Sequence, residues 1–177
     1  MIPTLAGAAS GAAGFALLLL LAPRGGSQLA AAAAVLLWVI LSRGPRSIGI
    51  TAVTLSFLIR WQALAHLAAP PLTALIAAQA VPRAARAALA YTARPLEPTS
   101  ITARQAFAAI VAGLACAAPA GARFGWFAVS ASTLLVVIAR QICEARYGGV
   151  NARMLDALEQ TAECVILTGA ACRSCIW

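Results

Sequence analysis

The sequence predicts an all-α membrane protein, a polytopic helix bundle of about seven spans (six if two runs merge), folded as a single domain over residues 1–177. Three observations carry that expectation. Of 177 residues 62% are hydrophobic and 10% charged, where a soluble domain averages about 25% charged. The apolar residues fall into uncharged runs near the ~20 residues that cross a bilayer core. The charges stand between those runs, and all 13 basic residues are arginine. A water-soluble globular domain and a disordered chain are excluded, and no stretch is left over for a separate soluble catalytic module.

Ile2 to Ala22 is the first run. It ends at Pro23 and carries Gly7, Gly11 and Gly14 among Ala8, Ser10 and Ala12, a small-residue face suited to close helix packing. No basic residue precedes it and it is long for a signal-peptide core, so it reads as a retained span. Arg24 to Ser27 then reads as a turn, and Gln28 to Leu41 as the second arm of a helical hairpin. Gly44 and Pro45 break the chain before a third run, Ile48 to Ala69, closed by Pro70 and Pro71. Leu72 to Ala93 returns, with Pro82, Arg83 and Arg86 expected to end or bend it.

The segment from Arg94 to Arg104 is the longest polar stretch in the chain and reads as a loop, with Thr99 or Ser100 as N-cap of the next helix. Gln105 to Ala122 and Phe124 to Ala139 form a second hairpin, turned at Gly121 and Arg123. A polar connection from Arg140 to Arg153 leads to a last helix from Met154 to Ala171.

Net charge is +8, yet the arginines separate apolar runs and do not cluster with aromatics, which argues against nucleic acid as a partner. They fit membrane orientation, since short cytoplasmic loops are enriched in basic residues. With a cytoplasmic N-terminus one side receives Arg43, Arg46, Arg83, Arg86, Arg94, Arg104, Arg140, Arg146 and Arg153; the other receives Arg24, Arg123 and Arg173. The expected partners are therefore the lipid bilayer and, within it, a membrane subunit or a second copy of the chain. The five cysteines lie mostly in apolar runs, where thiols act as small hydrophobes, and a disulfide framework is not expected.

Acids are scarce: Glu97, Glu144, Asp156, Glu159 and Glu163. Asp156, Glu159 and Glu163 share one helical face at the start of the last span. Two readings are open: a metal or cation site, or acids stabilised by a helix N-terminus beside Arg153. Glu163 lies deeper, and intramembrane acids are functional candidates by default. Arg60 beside Trp61 reads as a snorkelling interface pair, and His66 as an isolated polar residue. Arg83, Arg86 and Arg94 form a basic surface, set either by orientation or by phosphate binding. Cys172 and Cys175 have redox spacing without a thioredoxin-like context. One histidine excludes a multi-His metal site, and no Gly-rich phosphate loop occurs.

The order of features resembles the cobalamin synthase family, membrane adenosylcobinamide-GDP ribazoletransferases. Pro3 to Leu20 is similar to that family's first span, Leu36 to Leu41 to the end of its second, and Pro45-Arg46-Ser47-Ile48-Gly49 to the turn into the next helix. Pro82 to Ala85 resembles a Ser-Arg-Trp-Ala stretch, and Tyr91 to Pro95 a Tyr-Ala-Arg-Pro signature with one residue inserted. Arg146-Tyr147-Gly148-Gly149-Val150-Asn151, followed by Ala157, Gln160 and Glu163, matches best. The resemblance implies a multi-pass protein of the bacterial cytoplasmic membrane, acting in corrinoid nucleotide-loop assembly. The implied reaction joins ribazole or its phosphate to a GDP-activated corrinoid with release of GMP, with Mg2+ as cofactor.

Two family motifs differ here. An Asp-rich motif expected before the turn is replaced by Arg43 and Gly44 running into Pro45, and the acid ending a Gly-Gly-x-Thr-Gly-Asp motif is Arg153. The binding positions implied are Arg46, Arg83 and Arg94, with Glu163 orienting one of them. Asp156, Glu159 and Glu163 are the remaining candidates for a metal. Two functions follow: a transferase of this family, or a non-catalytic binding or assembly protein on its scaffold.

Overall fold

The structure, a computed structural model, describes residues 3–41, 50–66, 72–96 and 101–172. Among the described residues it is all helix: α1 (Pro3–Leu41), α2 (Ile50–His66), α3 (Leu72–Thr92), α4 (Ala103–Ala117), a short 3-10 turn (Ala118–Ala120), α5 (Ala122–Tyr147) and α6 (Ala152–Ala171). Three of these segments are long and apolar enough to cross a membrane: Thr4–Leu21 within α1, Ala103–Ala120, and Ala122–Tyr147.

The expected hairpin at Arg24 to Ser27 does not form. α1 is one helix of 39 residues, about 58 Å long and so nearly twice a bilayer core. The Ala30 to Ala34 run has the highest helix propensity available, and Pro23 removes only one backbone bond, so two glycines do not stop the helix. Among the described residues six α-helices therefore stand where the sequence divides into seven runs, and the third and fourth runs stay separate as α2 and α3.

α3 is the centre of the bundle, touching α1, α4, α5 and α6. Pro82 sits inside it without ending it, because the helix is packed on all sides and the lost bond is offset by burial. The expected packing of the small-residue face is present: a Cβ on Gly11 would stand 2.7 Å from the Leu75 carbonyl oxygen, and one on Gly7 2.6 Å from that of Gln79. Only glycine lets α1 and α3 approach this closely.

The α4–α5 hairpin turns at Gly121 as expected, with φ at +97°, a region that favours glycine. The N-cap of α4 is Thr102, not Thr99 or Ser100, which lie outside the described residues. Its hydroxyl accepts from the Gln105 N–H while the Gln105 side chain accepts from the Thr102 N–H, a reciprocal capping box. α5 also runs further than expected, through Arg140 to Tyr147, helped by an Arg140–Glu144 pair one turn apart at 3.0 Å. It stops at Gly148, left-handed at φ +72°, and Asn151 then caps α6 by accepting from the Met154 N–H.

The main core gathers alanines and valines of α1 and α3 with Leu64, Leu75, Phe124, Ile166 and Leu167. A smaller cluster at the other end joins Leu89, Ala93, Cys143, Val150, Leu155 and Leu158.

Candidate functional site

The polar residues of α6 face inward. Glu159 and Glu163 are buried and Asp156 half-buried, because their spacing of three and four keeps them on the stripe that meets α3 and α2. Each acid meets arginine. Asp156 and Glu159 share Arg86 Nη1, at 2.6 and 2.8 Å; Glu159 also takes Arg83 Nε at 3.2 Å; Glu163 pairs with Arg60 Nη2 at 2.5 Å. The result is a ladder of charge pairs along the seam between α3, α2 and α6.

Neutral groups extend the ladder. Arg83 donates to Ser10 on α1, and Ser10 donates to the Gly7 carbonyl. Arg60 donates to Gln160, which also accepts from Ser56. Arg60 is 2% exposed, so the snorkelling reading is corrected: it is a fully internal cation. Its partner lies 103 positions later, and no local spacing pointed to it. A guanidinium in hydrocarbon needs a carboxylate beside it, and Glu163 supplies one.

The other expected site residues are placed as follows. Arg83 is on the ladder. Arg86, half-exposed at 37%, is its outermost arginine. Arg94 is exposed just past the end of α3, eleven residues and about 16 Å along the chain axis from Arg83. Arg46 falls outside the described residues, as does the position where the Asp-rich motif would stand. His66 lines a shallow groove with Gln62 and Thr168 between α2 and α6. Cys172 lies just past α6, and Cys175 is outside the described residues.

Two motif segments distant in sequence are joined. The Val150 N–H donates to the Arg94 carbonyl at 2.8 Å and the Leu96 N–H to the Val150 carbonyl at 3.0 Å, a parallel bridge between Pro95 and Val150. A Cβ on Gly149 would stand 2.5 Å from the Arg94 oxygen. This explains the glycine pair: Gly148 turns the chain, and Gly149 lets the two backbones touch.

The family model for cobalamin-5-phosphate synthase matches residues 47–171, more than two thirds of the chain. The chain belongs to the cobalamin-5-phosphate synthase family. No match was found among curated proteins or solved structures. The family match spans α2 to α6, and so includes the whole ladder except Ser10 and both sides of the Pro95–Val150 bridge. Its description places the family in cobalamin synthesis, and the apolar helices place this member in a membrane.

The donor set does not fit magnesium as arranged. Mg2+ requires near-octahedral oxygen ligands, commonly one or two carboxylates that face it. Here Asp156, Glu159 and Glu163 are matched by Arg86, Arg83 and Arg60, leaving no net negative charge on the ladder. Among the described residues no three acids, histidines or cysteines converge as a metal group.

Proposed function

We propose that this member of the family serves nucleotide-loop assembly of cobalamin as a binding component in the bacterial cytoplasmic membrane, holding a phosphorylated or nucleotide-linked corrinoid without joining it to ribazole by itself. The observation that carries this reading is that all three acids of the ladder are paired with its three arginines. Displacement at phosphorus depends on neutralising charge on the transferring group, usually by a metal held on carboxylates. In this chain the carboxylates are committed to arginine, and Arg43-Gly44 stands where the family has its Asp-rich motif.

Binding draws on the arginines, on the ladder and beyond it. Arg46, Arg83 and Arg94 hold the anionic groups, with Arg86 beside them as the most accessible cation of the ladder. Glu163 acts from the interior, fixing Arg60 and with it the spacing of α2 and α6. Guanidinium forks suit phosphate oxygens. A second reading, ribazole transfer with acids supplied by a partner subunit, draws support from the Pro95–Val150 bridge, which keeps the two motif segments together.

The test is titration of the chain in nanodiscs with a GDP-linked corrinoid. Charge-assisted contacts are each worth about 1.5–3 kcal/mol, so Arg83→Ala and Arg94→Ala should each weaken binding by about tenfold to a hundredfold. Unchanged affinity in both variants, or no binding by the wild type, overturns the assignment.

A further inference from the structure

The face of α3 opposite the charge ladder lines a cavity of about 200 Å3 between α3, α4 and α5, open on its outer side. Its walls are small or branched apolar side chains, including Ala84, Ala85, Ala88, Ile110 and Val136. At one side α3 and α4 touch, since a Cβ on Gly113 would stand 2.6 Å from the Ala84 Cβ. At the rim are Leu114 and Val137, each 47% exposed, on α4 and α5, both of which carry segments apolar enough to face lipid.

One polar group in this cavity is unexplained. Ser132 is 4% exposed, and among the described residues its hydroxyl has no hydrogen-bond partner. Thr133 beside it donates to the Val129 carbonyl one turn back, the usual solution for a hydroxyl on a helix. Ser132 does not take it. A buried hydroxyl without a partner is unfavourable, so the cavity favours an occupant that brings an acceptor. Water is a poor one, because a buried water needs two to four polar partners and the walls offer one uncommitted hydroxyl.

Depth narrows the choice. Ser132 lies ten residues from the start of α5 and fifteen from its end, so about 15 Å or more from either. The ester oxygens of a phospholipid sit at the edge of the hydrocarbon core and do not reach that depth; its acyl tail does, but carries no acceptor. An apolar cavity of about 150 Å3 already holds benzene. We propose that this cavity binds an uncharged, lipid-soluble aromatic molecule of one or two rings bearing a single hydrogen-bond acceptor, which enters from the bilayer between α4 and α5 and accepts from Ser132. This is independent of the arginine site, which lies across α3.

Benzophenone, a two-ring aryl ketone that inserts into C–H bonds on illumination, is a direct probe of the full chain in nanodiscs. Peptide mapping should place its adduct on cavity residues of α3, α4 and α5. Ala88→Phe, which fills the space, should abolish that adduct. Ser132→Ala keeps the space and removes the donor, and should lower the yield at limiting probe by about twofold to tenfold; it also serves if the filled variant does not fold by circular dichroism. Fluorenone should compete, and fluorene, the same frame without the carbonyl, should compete several-fold less well. Equal labelling of wild type and both variants, equal competition by the two compounds, or a tightly retained phospholipid lost in Ala88→Phe would each overturn the proposal.

Discussion

The two sides of α3 are held by different physics. Toward α6 and Ser10 of α1 run ion pairs and hydrogen bonds, continued from α6 to Arg60 and Ser56 of α2, between residues up to 108 positions apart and mostly buried, with Arg86 the outermost. Toward α4 and α5 the contacts are alanine, valine and isoleucine, and the outer faces of those helices carry Phe107, Trp126 and Leu134 exposed. The first side loses much when one group is removed, because its partner is left charged in a low-dielectric interior. The second is insensitive at its lipid-facing positions, where an apolar side chain meets an equally apolar solvent. Specificity of the fold therefore resides in the ladder, and the hairpin supplies membrane area.

The largest expected difference between the sides is at Glu163. Glu163→Ala leaves Arg60 buried without its acid and should destabilise the protein by about 3–5 kcal/mol, read as a fall in unfolding midpoint in detergent. Replacing both Arg60 and Glu163 by leucine should recover most of that loss, since the cost arises from the orphaned charge. On the other side, Leu134→Ala should change stability by less than about 0.5 kcal/mol. A double leucine variant as unstable as Glu163→Ala would mean that packing around the pair, not its charge, dominates.

The glycine contact of α1 with α3 comes next. Gly11→Val forces a side chain against the Leu75 carbonyl and should cost about 1–3 kcal/mol, seen as a lower midpoint and easier proteolysis near the N-terminus. A neutral result would show that α1 packs elsewhere. The smallest effect is at the surface pair: Arg140→Ala removes an exposed contact to Glu144 and should shift stability by about 0.2–1 kcal/mol, and less at high salt.

These contrasts also explain what was legible in the sequence. Run length and turn residues locate α2, α3, the hairpin and α6, since a bilayer constrains helix length and glycine marks the turns. The small-residue face of α1 was legible for the same reason. The continuity of α1 past Arg24 was not: helix propensity of the alanine run outweighs a turn-like tetrapeptide, and no periodicity distinguishes two short spans from one long helix. The grouping of Asp156, Glu159 and Glu163 followed from helical spacing, but their partners did not. Arg60 looks like an interface residue because Trp61 follows it, and only the fold brings α2 against α6. Thr102 was passed over for Thr99 and Ser100, although the Thr102–Gln105 spacing is itself a capping-box pattern.

Orientation gives a further check on the comparison. If α4, α5 and α6 each cross the membrane, an arginine-rich Arg94–Arg104 loop on the cytoplasmic side puts the C-terminus outside. Reporter fusions at the two points should report opposite compartments; the same compartment would contradict the membrane path.

The central claim, that this chain binds without catalysing, is tested most directly by GMP release. The purified chain in nanodiscs, given a GDP-activated corrinoid, ribazole phosphate and Mg2+, should bind the corrinoid and release little or no GMP above protein-free nanodiscs. Robust turnover by this chain alone would contradict the account, and would make Asp156, Glu159 and Glu163 the ligands to mutate first.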